Sequence, residues 1–215
     1  MSDFITLQGM VLSTMPIGDF DKRLVMLTRE RGKITAFARG ARKQNSPLLA
    51  GCNPFVFGEV SLFEGRSSYT LRSIEITKYF EELGQDLELM CYASYFAEYT
   101  DYYTRENIDG TLMLKLMYQT LRALLNKSIP NPLVRLIFEM KAMVINGEYS
   151  DRLPCAVCGD TKYTLEYIIT SPVEKLYTFV VSDQVQKELR ECVQAFQNMY
   201  IDRRFKSLEV LDTIL

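Results

Sequence analysis

The sequence predicts a small closed β-barrel at the N-terminus followed by a mostly helical domain. Three observations predict it. Apolar and polar residues alternate with a period of two in several short segments of the first 80 residues, and beyond residue 83 a spacing of three and four takes over. The charge also changes sign: residues 1–80 hold 11 Lys and Arg against 7 Asp and Glu, and residues 81–215 hold 14 against 20. A basic front and an acidic back predict two domains, 1–80 and 81–215, with different surfaces.

The strands are read in order. ITLQGMV, residues 5–11, puts Ile5, Leu7, Gly9 and Val11 on one parity and Thr6 and Gln8 on the other. PIGDFD is expected to end this strand, because Pro16 cannot donate to a sheet ladder and Gly18 and Asp19 form turns. RLVMLT, residues 23–28, is a second strand. After a turn at Gly32, GKITAFARG is the third, with Ile34, Ala36 and Ala38 facing opposite Thr35, Phe37 and Arg39. The stretch from Ala41 to Pro54 has no sustained period and reads as a long connection. FVFGEVSLF and, past Glu64-Gly65-Arg66, SSYTLRSIEITKYF complete five strands. Closure suits so short a sheet, because it removes the exposed edges.

Residues 83–104 read as the first helix. Leu114, Met117, Leu121 and Leu124 mark a second, and Leu133, Leu136, Met140 and Val144 mark a third. Asn131 is expected to cap the third, with Pro132 in its first turn and Asn146-Gly147 at its end. Within 148–182, YTLEYIIT has strand character and SPVEKLYTFVV predicts no element. Val185, Leu189, Val193 and Phe196 restore a helical stripe, and a short helix is expected over 207–214.

Composition narrows the chemistry. There is no histidine, which excludes Ser-His-Asp and Cys-His nucleophiles and histidine metal sites. No carboxylate pair stands out among the 27 acids, so a non-enzymatic protein is expected. The start, MSDFITLQGM, lacks the basic and apolar regions of a signal peptide. No apolar run approaches the roughly 20 residues that span a bilayer, so a cytoplasmic location with no membrane contact is expected.

The cationic charge is focused. Between Lys22 and Lys43 stand eight Lys and Arg and one acid, Glu30. Placed on and beside two strands and the loop that follows, Arg31, Lys33, Arg39, Arg42 and Lys43 are expected to converge on one side of the barrel. Such a surface displaces the counterions of a phosphate polymer without reading its sequence. Phe20, Phe37, Tyr69 and Tyr79 are candidate stacking groups, with Phe37 and Tyr69 equally suited to the core.

These same residues carry a resemblance. Gly9-Met10-Val11-Leu12, Gly18-Asp19-Phe20-Asp21-Lys22-Arg23-Leu24, Thr28-Arg29-Glu30-Arg31-Gly32-Lys33 and Ala38-Arg39-Gly40-Ala41-Arg42 resemble the opening of the bacterial recombination mediator family RecO. Looser likeness continues through Pro54-Phe55, Leu62-Phe63, the region of Leu71, Ser73 and Glu75, Leu87 to Glu98, and Arg203 to Ser207. The resemblance implies an OB-type barrel and a helical domain that act without catalysis. It also implies binding of single- and double-stranded DNA and annealing of strands coated by single-strand DNA-binding protein. RecR, with RecF in some systems, is the implied partner in loading RecA. It carries the DNA contacts to the basic positions, Lys22, Arg23, Arg31, Lys33, Arg39, Arg42, Lys43 and Arg66. Two departures stand out: Asp19 where the family often has Glu, and Pro47 after Ser46 where a basic residue is common.

Cys155 and Cys158 have the spacing with which two thiolates hold one side of a zinc ion. Many RecO-like chains add a second pair downstream, and this chain has none. A degenerate zinc-finger-like turn without cofactor is therefore expected. Zinc shared with another chain, or completed by Cys192 or Asp160, is the disfavoured alternative, and Cys192 is expected in a helix core. Two other functions fit the residues, an adaptor whose barrel binds protein and a barrel that binds RNA.

Overall fold

The computed structural model describes residues 4–66, 68–150 and 152–214. Five strands, β1 (Phe4–Ile17), β2 (Asp21–Thr28), β3 (Gly32–Ala38), β4 (Phe57–Glu64) and β5 (Tyr69–Lys78), close in the order β1-β2-β3-β5-β4. Closure depends on β1, whose 14 residues serve two neighbours. Its first half pairs antiparallel with β4, Phe4 opposite Phe63 through Met10 opposite Phe57. Its second half pairs with β2, from Gly9 opposite Thr28 to Ile17 opposite Asp21, with a bulge between Val11 and Ser13. A bulge bends a strand and raises its twist, which lets one strand belong to both sides of a barrel. The seam is a short parallel contact of β3 with β5, Ala36 beside Tyr69 and Phe37 beside Thr70.

The first strand thus runs through the expected stop at Pro16 and ends at Ile17. The pairing explains why proline is tolerated. Past Met10, β1 has only β2 as a neighbour, so a backbone nitrogen on its other side has no ladder to complete. Alternate residues point inward, and Leu7, Leu24, Met26, Ile34, Ala36, Val60, Leu62 and Leu71 form the core. The long connection is not an idle loop. Its Ala41, Leu48, Cys52 and Val56 enter that core and plug the barrel.

Six α-helices follow among the described residues: α1 (Leu87–Tyr103), α2 (Thr111–Leu125), α3 (Asn131–Ile145), α4 (Gly159–Thr170), α5 (Asp183–Tyr200) and α6 (Lys206–Ile214). The chain forms two compact units, Met1–Gln85 with Ala97–Leu114, and Asp86–Phe96 with Lys115–Leu215. Within the second, the rings of Phe96 and Phe138 meet at 4.5 Å. The buried Glu139 accepts from the Tyr95 hydroxyl at 2.5 Å and from Arg135 Nε at 2.8 Å.

Two helix expectations change. Asn131 is the first residue of α3 rather than its cap; Pro130 occupies the cap position, and the Asn131 amide donates to Glu88 Oε1 at 2.8 Å. YTLEYIIT, read as a strand, is the body of α4. Thr161, Thr164, Leu165 and Ile168 are its buried stripe, and both ends are held by charged side chains from other helices. Glu188 of α5 accepts from Cys158 N–H at 2.8 Å and from the Thr161 hydroxyl at 2.7 Å. Lys141 of α3 donates to the carbonyls of Ile168, Ile169 and Ser171 at 2.7–3.0 Å. An anion at the start and a cation at the end suit the helix dipole, and this tertiary support overrides a weak local preference.

Candidate nucleic-acid interface

The register of the β2–β3 hairpin sorts the cations. Lys22 and Arg23 stand opposite Ala38 and Phe37 at one end, and Thr28 stands opposite Gly32 at the other. From Lys33 to Arg39 the strand advances about 20 Å. The eight predicted site residues therefore do not converge on one patch.

At the first end, the β1–β2 turn and the start of the plug loop are joined. Arg42 donates its backbone N–H to Phe20 O at 2.8 Å and its guanidinium to Gly18 O at 3.2 Å. Gly40 N–H donates to Asp21 Oδ1 at 2.7 Å. Lys43 Nζ lies 5.5 Å from the centre of the Phe20 ring. Arg23 and Arg39 are exposed, and neither has an ion-pair partner among the described residues. Phe20 is 51% exposed, and Met15, Ile17 and Leu49 add uncovered apolar surface at the same end. Lys22 is spent differently. Its ammonium donates to Cys52 O at 3.0 Å and Asn53 Oδ1 at 3.3 Å, tying β2 to the plug loop. Burial pushes the Cys52 thiol up to about 11, only partly offset by the Lys22 charge.

At the second end Arg31 and Lys33 are paired with acids. Lys33 Nζ pairs with Asp101 at 3.0 Å and donates to the Asp101 carbonyl at 2.6 Å. Arg31 reaches Glu64 at 3.7 Å and Asn107 Oδ1 at 3.3 Å. Residues 105–110 also bond the hairpin through the backbone: Lys33 N–H to Arg105 O, Asn107 N–H to Arg31 O and Gly110 N–H to Arg29 O. Arg66 is exposed on the β4–β5 turn, which the parallel β3–β5 register places at this end. The expected single cationic face is thus corrected to one open cluster, Arg23, Arg39, Arg42 and Lys43, and a second end where Arg31 and Lys33 are taken up by carboxylates and backbone and Arg66 is exposed.

The aromatic candidates also separate. Tyr69 is a core residue at 4% exposure, and burial with a bond to Glu106 raises its hydroxyl pKa. Phe37 is half-buried on the outer face of β3, Tyr79 is exposed beyond β5, and Phe20 alone stands within the cation cluster. Sequence reasoning missed the exposed Met15, Ile17 and Leu49, because an apolar residue in a strand or loop carries no sign of which way it faces.

Cys155 is joined by a disulfide to Cys192, a buried residue of α5, and Cys158 is free. Bonded sulfurs are not thiolate ligands, so Cys155 and Cys192 are not available to a metal in this form.

Two family models match the chain, Recombination protein O N terminal over residues 1–80 and Recombination protein O C terminal over residues 84–163. The chain belongs to the recombination protein O (RecO) family. Similar proteins include the DNA repair protein RecO of Alkaliphilus metalliredigens, 27% identical over 98% of this chain and 99% of the relative. That of Acetivibrio thermocellus is 24% identical over 99% and 98%. That of Listeria monocytogenes is 33% identical over 76% of this chain and 64% of the relative. The barrel falls in the RecO N-terminal match, and its strand order is that of an OB-type fold. The RecO C-terminal match ends at Tyr163, before the helix that carries Glu188 and Cys192. Among the described residues no helix is long and apolar enough to cross a membrane.

Proposed function

We propose that this chain is a non-catalytic, cytoplasmic mediator of DNA repair and homologous recombination that holds DNA on the open end of its barrel. The observation that carries this reading is the set of exposed cations at one end of the hairpin, Arg23, Arg39, Arg42 and Lys43, with Lys43 Nζ 5.5 Å from the centre of the exposed Phe20 ring. Guanidinium and ammonium groups exchange for counterions along the backbone of single- or double-stranded DNA, and an exposed ring stacks on an unpaired base. Cations that neutralise two strands at once lower the repulsion between them, which is what annealing requires. Single-strand DNA-binding protein, RecR, RecA and, in some systems, RecF are the partners that family membership supports.

The test is annealing of complementary strands precoated with single-strand DNA-binding protein, with and without RecR. The wild-type chain is expected to accelerate annealing, and Arg39→Glu/Lys43→Glu to lose most of the effect while keeping its fold. No acceleration by the wild type, or equal acceleration by the double variant, overturns the reading. A competition between DNA and RNA of equal length separates it from an RNA-binding barrel.

A further inference from the structure

The turn before α4 is fastened to α5 twice. Cys155 is bonded to Cys192 with the α-carbons 5.9 Å apart, and Cys158 N–H donates to Glu188 at 2.8 Å. Glu188 and Cys192 are four residues apart on one helix, so they share a face. Cys155 and Cys158 therefore both meet the same ridge of α5. Of the free thiols, Cys52 and Cys91 are buried, whereas Cys158 is partly exposed, with Sγ 3.3 Å from the Thr161 hydroxyl. The disulfide closes a separation of 37 residues, and Cys158 follows Cys155 at the Cys-x-x-Cys spacing at which two cysteines of one turn can also bond to each other.

We infer that Cys155, Cys158 and Cys192 form a thiol–disulfide exchange site, in which the bond moves between Cys155–Cys192 and Cys155–Cys158. The Cys158 thiolate attacks Cys155 Sγ. A Cys155–Cys158 bond forms, the Cys155–Cys192 bond breaks, and the electron pair leaves on Cys192 Sγ, which takes up a proton in place of the one Cys158 gave to solvent. One disulfide is present before and after, so no outside oxidant or reductant takes part. Exchange cuts the covalent tie to α5 and leaves the Glu188 contacts as its replacement. The inference is independent of the DNA-binding reading.

The full chain, purified without reductant, is acid-quenched, alkylated and digested, and its crosslinked peptides are mapped by mass spectrometry, with zinc measured on the same sample. The wild type is expected to contain one disulfide distributed between the 155–192 and 155–158 linkages. Cys158→Ser is expected to lose the 155–158 peptide entirely, and Cys192→Ser to hold only that linkage. Three reduced thiols, with or without stoichiometric zinc, overturn the inference, as does a wild type locked in the 155–192 linkage. The wild-type map decides the matter even if a variant fails to fold.

Discussion

At the residue scale, Lys22 and Lys43 bound the same cationic run and do different work. Lys22 spends its donors on Cys52 O and Asn53, whereas Lys43 rests over the Phe20 ring and remains open to solvent. Phe20 is therefore a ring held in place before any base arrives, by Arg42 N–H on its carbonyl and Lys43 above its face. Phe20→Ala is expected to weaken binding of a single-stranded oligonucleotide by about 1–3 kcal/mol, roughly 5- to 150-fold, and duplex binding far less. Fluorescence anisotropy with both probes measures the difference, and equal losses on both would count against stacking.

A second residue-scale effect is acid stability. Hydrogen bonds from Cys158 N–H and the Thr161 hydroxyl hold the Glu188 carboxyl at about 2, against 4.5 for the free group. A depressed folded-state value means that the stabilisation is complete above about 4.5 and lost as pH falls towards 2. Thermal melts of the wild type should therefore drop across that window. Glu188→Gln should flatten this part of the profile, and an unchanged acid limb would show that the carboxylate contributes nothing there.

At the element scale, the sequence disclosed an element wherever one face of it is buried. β3 reads directly, because Ile34, Ala36 and Ala38 are inward and their neighbours are not. α5 reads equally well from Val185, Leu189, Val193 and Phe196, all buried. α4 did not, because its Thr, Tyr and Ile suit a strand, and the groups that make it a helix, Glu188 and Lys141, lie 27 residues from Thr161 and Ile168 respectively. β1 was cut short for a related reason: Pro16 forbids a central strand, and only the tertiary pairing reveals that one side of β1 is free there. The candidate site was half legible. Residue types pointed to a polyanion, but the sequence could not say that Asp101, Glu64 and the 105–110 backbone occupy one end of the hairpin.

That occupied end makes its own prediction. Gly110 lies so close to the hairpin that an added Cβ would stand 2.2 Å from Thr28 O, and a Cβ on Gly32, at φ +63°, would stand 2.3 Å from Arg105 O. Backbone cannot yield as a side-chain tip does. Gly110→Ala is expected to cost about 1–3 kcal/mol of stability, read as a lower Tm in a thermal melt. A melting temperature equal to that of the wild type would show that the two segments are not in the contact described.

At the scale of the whole molecule, net charge conceals the division that matters. A formal charge of −2 arises from a basic first 80 residues and an acidic remainder, and within the barrel four exposed cations, Arg23, Arg39, Arg42 and Lys43, stand at one end. A phosphate polymer is attracted by that local cluster, and acids beyond a Debye length of about 10 Å are screened from it. The most direct measurement is the affinity of a single-stranded oligonucleotide across a salt series for the wild type, for Arg23→Glu/Arg39→Glu/Lys43→Glu, and for a charge-matched control, Lys127→Glu/Lys162→Glu/Lys187→Glu, exposed in the second unit. Each single-strand phosphate contact contributes about −0.7 to the slope of log K against log salt, so losing three cations should make the slope shallower by about 2 and abolish most binding at physiological salt. The control should bind as the wild type does. Equal affinity and slope for the wild type and the barrel variant would contradict the account.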